Sequence, residues 1–113
     1  NPKYHAFLGR LDNQFVGYVI YYFTYSSFLG LPTFYLEDIF VLQEFRKAGI
    51  GRKMFSHCIE IAAEKECGRM EWCVLKWNEN AIKFYEKTGA RQLNEWAAYR
   101  MDKSQIRKYM QMA

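Results

Sequence analysis

The sequence lacks the features of several large classes of protein. Its longest apolar stretches are broken by Glu, Asp, Lys or Arg well before membrane-spanning length, and no charged segment followed by an apolar one opens the chain as a secretory signal would. Cys58, Cys67 and Cys73 show no C-x-x-C spacing and have only His5 and His57 as imidazole partners. We therefore expect no membrane partner, no metal and no disulfide, and predict buried or half-buried reduced thiols in a cytoplasmic protein.

Positive charge is also absent from a long central interval. No Lys or Arg occurs between Arg10 and Arg46, so the acidic residues of positions 11–45 give that interval a net charge of −4, although the whole chain carries +4. The rest of the chain therefore sums to +8. This division favours a protein that meets an anion with its basic part and a cation near Glu37-Asp38, but a chance distribution of solvated charges explains it as well.

The sequence is rich in the apolar and aromatic residues that build a core. Half of its residues are hydrophobic, and the aromatic ones are 9 Phe, 9 Tyr and 3 Trp. A chain of 113 residues can bury one core but not two. We therefore predict one domain over residues 1–113.

Hydrophobic periodicity predicts both strands and helices. Runs rich in Phe, Tyr, Val and Ile predict strands over 4–11, 15–25, 33–42 and 70–75, the first two joined as a β-hairpin through Asp12-Asn13-Gln14. Apolar residues at helical spacing predict a helix that opens at Gly49 to Gly51 and ends near Gly68. They also predict a second helix that Asn78 or Asn80 caps and that Gly89 follows as its C′ residue. Residues 90–93 and 97–101 are predicted to pair as a terminal hairpin, with a weak helix over 104–112 after it. Strand, helix and strand after an antiparallel meander indicate an α+β (mixed α/β) fold, a mixed sheet flanked by helices.

A basic turn with two glycines separates the third strand from the first helix. Its residues are Arg46, Lys47, Ala48, Gly49, Ile50, Gly51 and Arg52. The glycines let the backbone turn tightly and approach a ligand, and the free N–H groups of the helix start point into the turn. The spacing matches neither a Walker loop nor a dinucleotide fingerprint, and the alternative is an ordinary strand-to-helix turn. Because basic side chains flank the glycines, we predict a phosphate-binding turn.

Several linked motifs resemble one enzyme superfamily. They are R-x-x-G-x-G after a strand, Trp77-Asn78-Glu79 after the next strand, and F-Y-E-K-T-G-A over 84–90. With them the chain resembles the GNAT-superfamily N-acetyltransferases over about residues 16–101. The Tyr35 to Ile39 segment, Y-L-E-D-I, is similar to the diamine (spermidine/spermine-type) and thialysine acetyltransferases.

The resemblance implies acetyl-CoA as cosubstrate and assigns residues to it. The pyrophosphate would lie on Lys47 to Arg52, with Arg46 beside it, and the pantetheine arm along the backbone of Ile39, Phe40 and Val41. Asn78 and Ala81 would line the same arm, and Tyr85 would meet its thioester end. Pantetheine amides need free backbone groups of the kind found where two parallel strands separate, which agrees with this arrangement.

The resemblance also implies the catalytic roles. Tyr85 resembles the general acid that protonates the departing thiolate, and Glu37 resembles the residue that takes the proton of the amine, directly or through water. Asp38 adds negative charge that holds a cation, and Trp72 is among the aromatics that can form a cation–π wall. The alternatives are core packing for Tyr85 and Trp72, and a salt bridge for the acidic pair.

The chain departs from the polyamine enzymes in two places. It lacks the strand and paired helices that precede the segment matching 4–10, and it begins with Asn1 rather than Met, so we expect a truncated chain. It also lacks an acidic insertion before the last strand, because Leu93 to Trp96 leads straight into the next segment. The acceptor is therefore not restricted to polyamines. Small primary amines, thialysine-like amino acids and other diamines are alternatives.

The function predicted from these features is acetyl transfer from acetyl-CoA to a primary amine, by direct transfer in a ternary complex. No Cys sits where a nucleophile with a His base is expected, so no covalent enzyme intermediate is predicted. The alternative is a non-catalytic CoA-binding or nucleic-acid-binding module, but the acidic pair repels nucleic acid. Members of the family commonly form homodimers, so the resemblance implies a homodimer.

Overall fold

The computed structural model describes residues 3–112. Asn1, where the predicted 1–113 domain begins, and residue 113, where it ends, lie outside the described residues. The chain separates into two compact units, Asn1–Cys73 and Val74–Ala113, which are described one at a time. The first unit contains β1 (His5–Leu11), β2 (Gln14–Ser26), β3 (Leu31–Val41), α1 (Ile50–Glu64) and β4 (Arg69–Glu71). The second contains α2 (Glu79–Lys87) and α3 (Lys103–Met112). The single domain stays a prediction.

Two hairpins and one crossover build the sheet, whose strand order is β1-β2-β3-β4. Asp12 and Asn13, between β1 and β2, have φ angles of 51° and 65°, the left-handed values that a two-residue hairpin turn requires. β2 and β3 pair antiparallel, whereas β3 and β4 pair parallel because α1 carries the chain back between them. This mixed sheet with helices confirms the predicted α+β class.

One face of the sheet is buried under α1, which packs across β3. The buried apolar side chains are Val16, Val19, Phe34, Leu36, Met54, Phe55 and Cys58. Phe34 and Leu36 alternate along β3, and the buried residues of α1 recur at helical spacing, so both periodicities in the sequence meet in one core. Burial of a large apolar side chain contributes about 1.5–3 kcal/mol to the stability of the fold.

Two of the predicted strand segments differ from the structure. β4 ends at Glu71 rather than at Leu75, because its pairing with β3 stops at the Tyr35–Glu71 pair. Within residues 90–102 a turn lies at Asn94-Glu95 but no strand is present, so the predicted terminal hairpin is wrong. The side chains of this segment from Arg91 onward are exposed, and a hairpin without a buried face is marginal in water. The predicted closing helix is confirmed by α3.

Gly17 lies where β2 approaches β3 most closely. A Cβ atom at this position would collide with the carbonyl oxygen of Phe40, a backbone atom that is held in the sheet. We expect Gly17→Ala to lower the free energy of unfolding by about 1–3 kcal/mol, measured by urea denaturation. Gly51→Ala is the control, because its Cβ would meet nothing closer than Val41 Cγ2 at 3.8 Å. Equal losses in the two variants would contradict this explanation.

Candidate functional site

A β-bulge in β3 brings the two acidic residues to the surface. The register of β2 with β3 shifts at this point, because Tyr21 opposes Leu36 while the preceding residue Ile20 opposes Asp38. Glu37 is the extra residue that has no partner on β2. Both carboxylates are exposed, although the strand is buried just before them. The bulge thus explains how two consecutive acids are accommodated in an apolar strand.

Glu37 stands near a pair of tyrosines. Tyr22 and Tyr35 are opposite each other on β2 and β3, with ring centroids 5.0 Å apart. Partial burial and then the charge of Glu37 raise the pKa of Tyr22. The pKa of Tyr35 is raised chiefly by its hydrogen bond with Cys73, whose Sγ lies 3.3 Å from the hydroxyl, and to a smaller extent by burial and by Glu37. An acid beside aromatic rings is a surface that suits an alkylammonium group.

Asp38 is hydrogen-bonded to Tyr18, a residue that the sequence did not indicate as part of the site. The hydroxyl of Tyr18 donates a hydrogen bond to Asp38 Oδ2 at 2.9 Å, and this bond raises the pKa of the Tyr18 phenol. Within residues 3–112 neither Glu37 nor Asp38 forms an ion pair with a basic side chain. The salt bridge that was the alternative explanation for the acidic pair is therefore absent from the described part of the chain.

The predicted phosphate-binding turn occupies the start of α1. Lys47 and Gly49 have φ angles of 72° and 80°, and a Cβ atom on Gly49 would meet nothing within 4 Å. The first helical hydrogen bond runs from the N–H of Lys53 to the carbonyl of Gly49. The N–H groups of residues 50–52 therefore have no helical partner and face out of the helix N-terminus. Such a terminus carries partial positive charge and favours an anion.

Basic side chains surround this turn and connect it to the end of β3. Arg46, Lys47, Arg52 and Lys53 are exposed, and none of them forms an ion pair within residues 3–112. The Nε atom of Arg46 donates to the carbonyl of Val41 at 3.0 Å, and its guanidinium carbon lies 5.9 Å from the centre of the Phe40 ring. The structure thus brings the turn together with the predicted pantetheine segment, Ile39 to Val41.

The edge of β3 toward β4 is paired over only part of its length. The parallel pairing joins Thr33, Phe34 and Tyr35 to β4 and does not extend to the Ile39 to Val41 segment. β4 therefore supplies no partner to the backbone of that segment, which agrees with the predicted place of an amide-bearing ligand. The predicted role of Ile39, Phe40 and Val41 itself stays a prediction.

The second unit carries the remaining predicted site residues on α2. Asn78 Oδ1 accepts a hydrogen bond from the N–H of Ala81 at 3.2 Å, so Asn78 rather than Asn80 is the N-cap. Gly89, with a φ angle of 97°, follows the C-cap as predicted. Tyr85 is half-buried near the end of α2, with its ring 5.4 Å from that of Phe84. The ligand contacts of Asn78, Ala81 and Tyr85, and the joint action of Tyr85 with Glu37, stay predictions.

Trp72 has a packing contact in the first unit. Its ring meets that of Phe55 edge to face, with centroids 5.3 Å apart, and Phe55 belongs to the core between α1 and the sheet. This contact supports the packing alternative. The role of Trp72 in holding an amine stays a prediction.

The three free thiols differ in their exposure. Cys58 is fully buried, and burial raises the pKa of its thiol to about 11, whereas Cys67 is half-buried. Cys73 is exposed beyond the end of β4, so the predicted burial is wrong for this thiol. We expect iodoacetamide at pH 8 to label Cys73 first and Cys58 last, at least about tenfold more slowly, because only the accessible thiolate reacts. Peptide mass spectrometry over time measures the order. Denatured protein, in which the order should vanish, is the control, and fast native labelling of Cys58 would contradict the assignment.

Residues 3–112 contain neither a candidate metal site nor a candidate membrane-spanning helix. Between residues 3 and 112 no three His, Cys, Asp or Glu side chains are grouped as a metal site requires. No helix in that range is both long and apolar enough to cross a bilayer. The expected absence of a metal and of a membrane partner stays a prediction.

The chain is similar to several known proteins. L-ornithine N5-acetyltransferase NATA1 of Arabidopsis thaliana is 40% identical to the chain, over 89% of this chain and 45% of the relative. Thialysine N-epsilon-acetyltransferase of Sus scrofa is 35% identical, over 96% of this chain and 69% of the relative. An integron cassette protein from the mobile metagenome of V. cholerae superposes with a TM-score of 0.84 at 26% identity, over 93% of this chain and 65% of that chain. The chain thus spans under half of the first relative and about two thirds of the other two.

The match to a family model covers most of the chain. The model of the acetyltransferase (GNAT) family matches residues 1–90. Together with the structural match, it confirms the predicted GNAT-type mixed sheet and the predicted membership of an acyltransferase family. The chain, with its acidic bulge in β3 and its basic turn at α1, therefore belongs to the acetyltransferase (GNAT) family.

Proposed function

We propose that the protein is an N-acetyltransferase that moves an acetyl group from acetyl-CoA to a primary amine of a small cationic acceptor. The observation that carries this proposal is the arrangement along β3. The exposed Glu37-Asp38 bulge lies in this strand, and the helix start that follows it carries basic side chains that form no ion pair within residues 3–112. One end of the strand suits a cation and the other suits phosphates. Members of the family use acetyl-CoA as cosubstrate, and both curated relatives are named as N-acetyltransferases.

The residues around the start of α1 fit the phosphates of such a cosubstrate. The free N–H groups of residues 50–52 provide donors, and Lys47 and Arg52 provide counter-charges for a pyrophosphate. Gly49 leaves open space above the turn, so a phosphate oxygen can approach the backbone closely. The backbone of Ile39 to Val41 would align the amide-bearing arm along β3.

The proposed reaction is direct transfer in a ternary complex. Glu37 takes a proton from the acceptor ammonium, directly or through a water molecule, which frees the nitrogen lone pair to attack the thioester carbonyl. A new C–N bond forms as the C–S bond breaks. A backbone N–H near Ile39 or Phe40 stabilises the developing oxyanion, and Tyr85 donates its proton to the departing thiolate. The nitrogen, which is positively charged after the attack, releases its second proton as the intermediate collapses, and this proton restores the Tyr85 phenolate to a phenol. Glu37 passes the first proton to solvent, so the products are the amide and the CoA thiol and no covalent enzyme intermediate is needed.

The acceptor we propose carries more than one cationic group. Diamines, thialysine-like amino acids and polyamines share this property, and the two curated relatives are named for ornithine and thialysine. Residues 11–45 carry a net charge of −4, which attracts such cations and repels nucleic acid. We further propose a single cytoplasmic acetyltransferase domain that forms a homodimer, as expected from the sequence.

Product analysis tests the proposed function. The purified protein is incubated with acetyl-CoA and, separately, with ornithine, thialysine, short diamines, spermidine and spermine, and acetylated products are measured by mass spectrometry. This readout is preferable to a thiol reagent, because the exposed Cys73 would react with it. We expect transfer to at least one dicationic amine, and a protein that acetylates no amine of the panel would refute the proposal.

A further inference from the structure

We propose that Tyr18 is a positioning residue that orients the Asp38 carboxylate as the receptor for the second cationic group of the acceptor. By this role Tyr18 sets a preference for dicationic over monocationic amines. The inference rests on the proposed function and goes beyond it, because it assigns a residue on β2 to acceptor selection.

The bulge places Asp38 on the same face of the sheet as Tyr18. On the far side of the bulge Asp38 opposes Ile20, and Ile20 is two residues from Tyr18 on β2, so the side chains of Asp38 and Tyr18 lie on one face of the sheet. Tyr18 opposes Phe40, and Asp38 is the diagonal neighbour two residues from Phe40. Diagonal neighbours lie within reach of an aromatic side chain, which accounts for the 2.9 Å hydrogen bond.

The ring of Tyr18 is held in place by its cross-strand partner. It stacks on Phe40 with a centroid distance of 5.4 Å and an interplanar angle of 29°. The guanidinium group of Arg46 lies over the ring of Phe40 and is itself bonded to the carbonyl of Val41. The hydroxyl of Tyr18 therefore occupies a defined position, and it can restrict the rotation of an otherwise exposed carboxylate.

The hydrogen bond occupies only one oxygen of Asp38. Tyr18 binds Oδ2, and within residues 3–112 no basic side chain pairs with the carboxylate. An ionised carboxylate accepts several hydrogen bonds, so Oδ1 is left for an external donor. A second ammonium group would find there an oriented, uncompensated negative charge, whereas a monoamine has no group to place against it.

Substitution of Tyr18 by Phe removes the hydroxyl and keeps the ring that stacks on Phe40. We expect KM for the best dicationic acceptor of the panel to rise by about three- to tenfold, with kcat changed by less than about twofold. KM for the monoamine in which hydrogen replaces the second amino group should not change. Steady-state kinetics on the matched pair of amines measures this split, which loss of stability alone would not produce.

Two further variants separate positioning from general effects. Tyr25→Phe is the matched control, because the hydroxyl of Tyr25 also makes one hydrogen bond, to the carbonyl of Gly30 at 2.8 Å, on the same strand but in a different place. It should leave both KM values unchanged. In an Asp38→Asn background, Tyr18→Phe should add no further increase in KM, because its effect acts through that carboxylate.

Three results would overturn the inference. They are an equal rise of KM for the dicationic and monocationic amines, a fall of kcat alone, and additive effects in the Asp38→Asn background. These results leave the proposed function standing, since the wild-type protein still transfers acetyl groups. Absence of any transfer by the wild-type protein would refute the proposed function and this inference with it.

Discussion

Replacement of Tyr85 by Phe should lower kcat by about 10²- to 10⁴-fold, the range that general acid catalysis supplies. The departing thiolate must gain a proton, and a phenol is a stronger acid than water or an alcohol, so its loss slows the breakdown step. The Phe side chain keeps the ring that packs beside Phe84 on α2. Pre-steady-state or steady-state turnover at saturating acetyl-CoA measures kcat, and calorimetry should show that the affinity for CoA is unchanged.

The control for this substitution is Tyr99→Phe. Tyr99 also belongs to the second unit, but its side chain is 96% exposed and lies outside the proposed site. It should keep kcat within about twofold of the wild type. If Tyr85→Phe likewise keeps wild-type turnover, the phenol has no part in the reaction and Tyr85 is a packing residue.

Substitution of Glu37 by Gln should have a comparable effect on kcat/KM at neutral pH, a loss of about 10²- to 10⁴-fold. The amide fits the same bulge but cannot take the proton of an ammonium group. Alkylamines have pKa values near 10, so each unit of pH up to that value raises the neutral fraction of the acceptor about tenfold. The rate of the variant should therefore rise with pH and approach that of the wild type, as a pH profile of kcat/KM would reveal.

Glu64→Gln provides the charge-matched control for this profile. Glu64 is exposed at the last residue of α1 and makes no ion pair within residues 3–112. This variant has the same change of net charge, and its profile should coincide with that of the wild type. If the Glu37→Gln variant is uniformly slow at every pH, Glu37 does not remove the proton. An electrostatic or structural effect of Glu37 would then explain the loss of activity.

The local elements of the site could be predicted from the sequence because their signals are short in range. Gly49 adopts a left-handed conformation at the helix start, and Asn78 caps α2 through an amide three residues away. Both signals depend on neighbours along the chain, where glycine and asparagine have known conformational preferences. The same is true of the tight turn between β1 and β2.

The predictions that were wrong depend on burial and pairing instead. Residues 90–93 and 97–101 are predicted to pair as a hairpin, yet Trp96 between them is 74% exposed and no strand is present in either segment, because strands without a buried face gain too little to order the chain. β4 is shorter than its apolar run predicts, since its length is set by how far β3 stays beside it. A periodic pattern shows that a segment is compatible with a strand, but not that a partner is present.

The acidic pair separates what the sequence determines from what the tertiary structure determines. The sequence alone shows the residue types, their order before the basic turn and the likeness to acetyltransferases. The bulge at Glu37, the shift that turns Asp38 toward Tyr18 and the hydrogen bond between them are properties of the pairing of β2 with β3. One extra residue in a strand reverses which face every later side chain occupies, and only the register between two distant segments decides whether that residue is present.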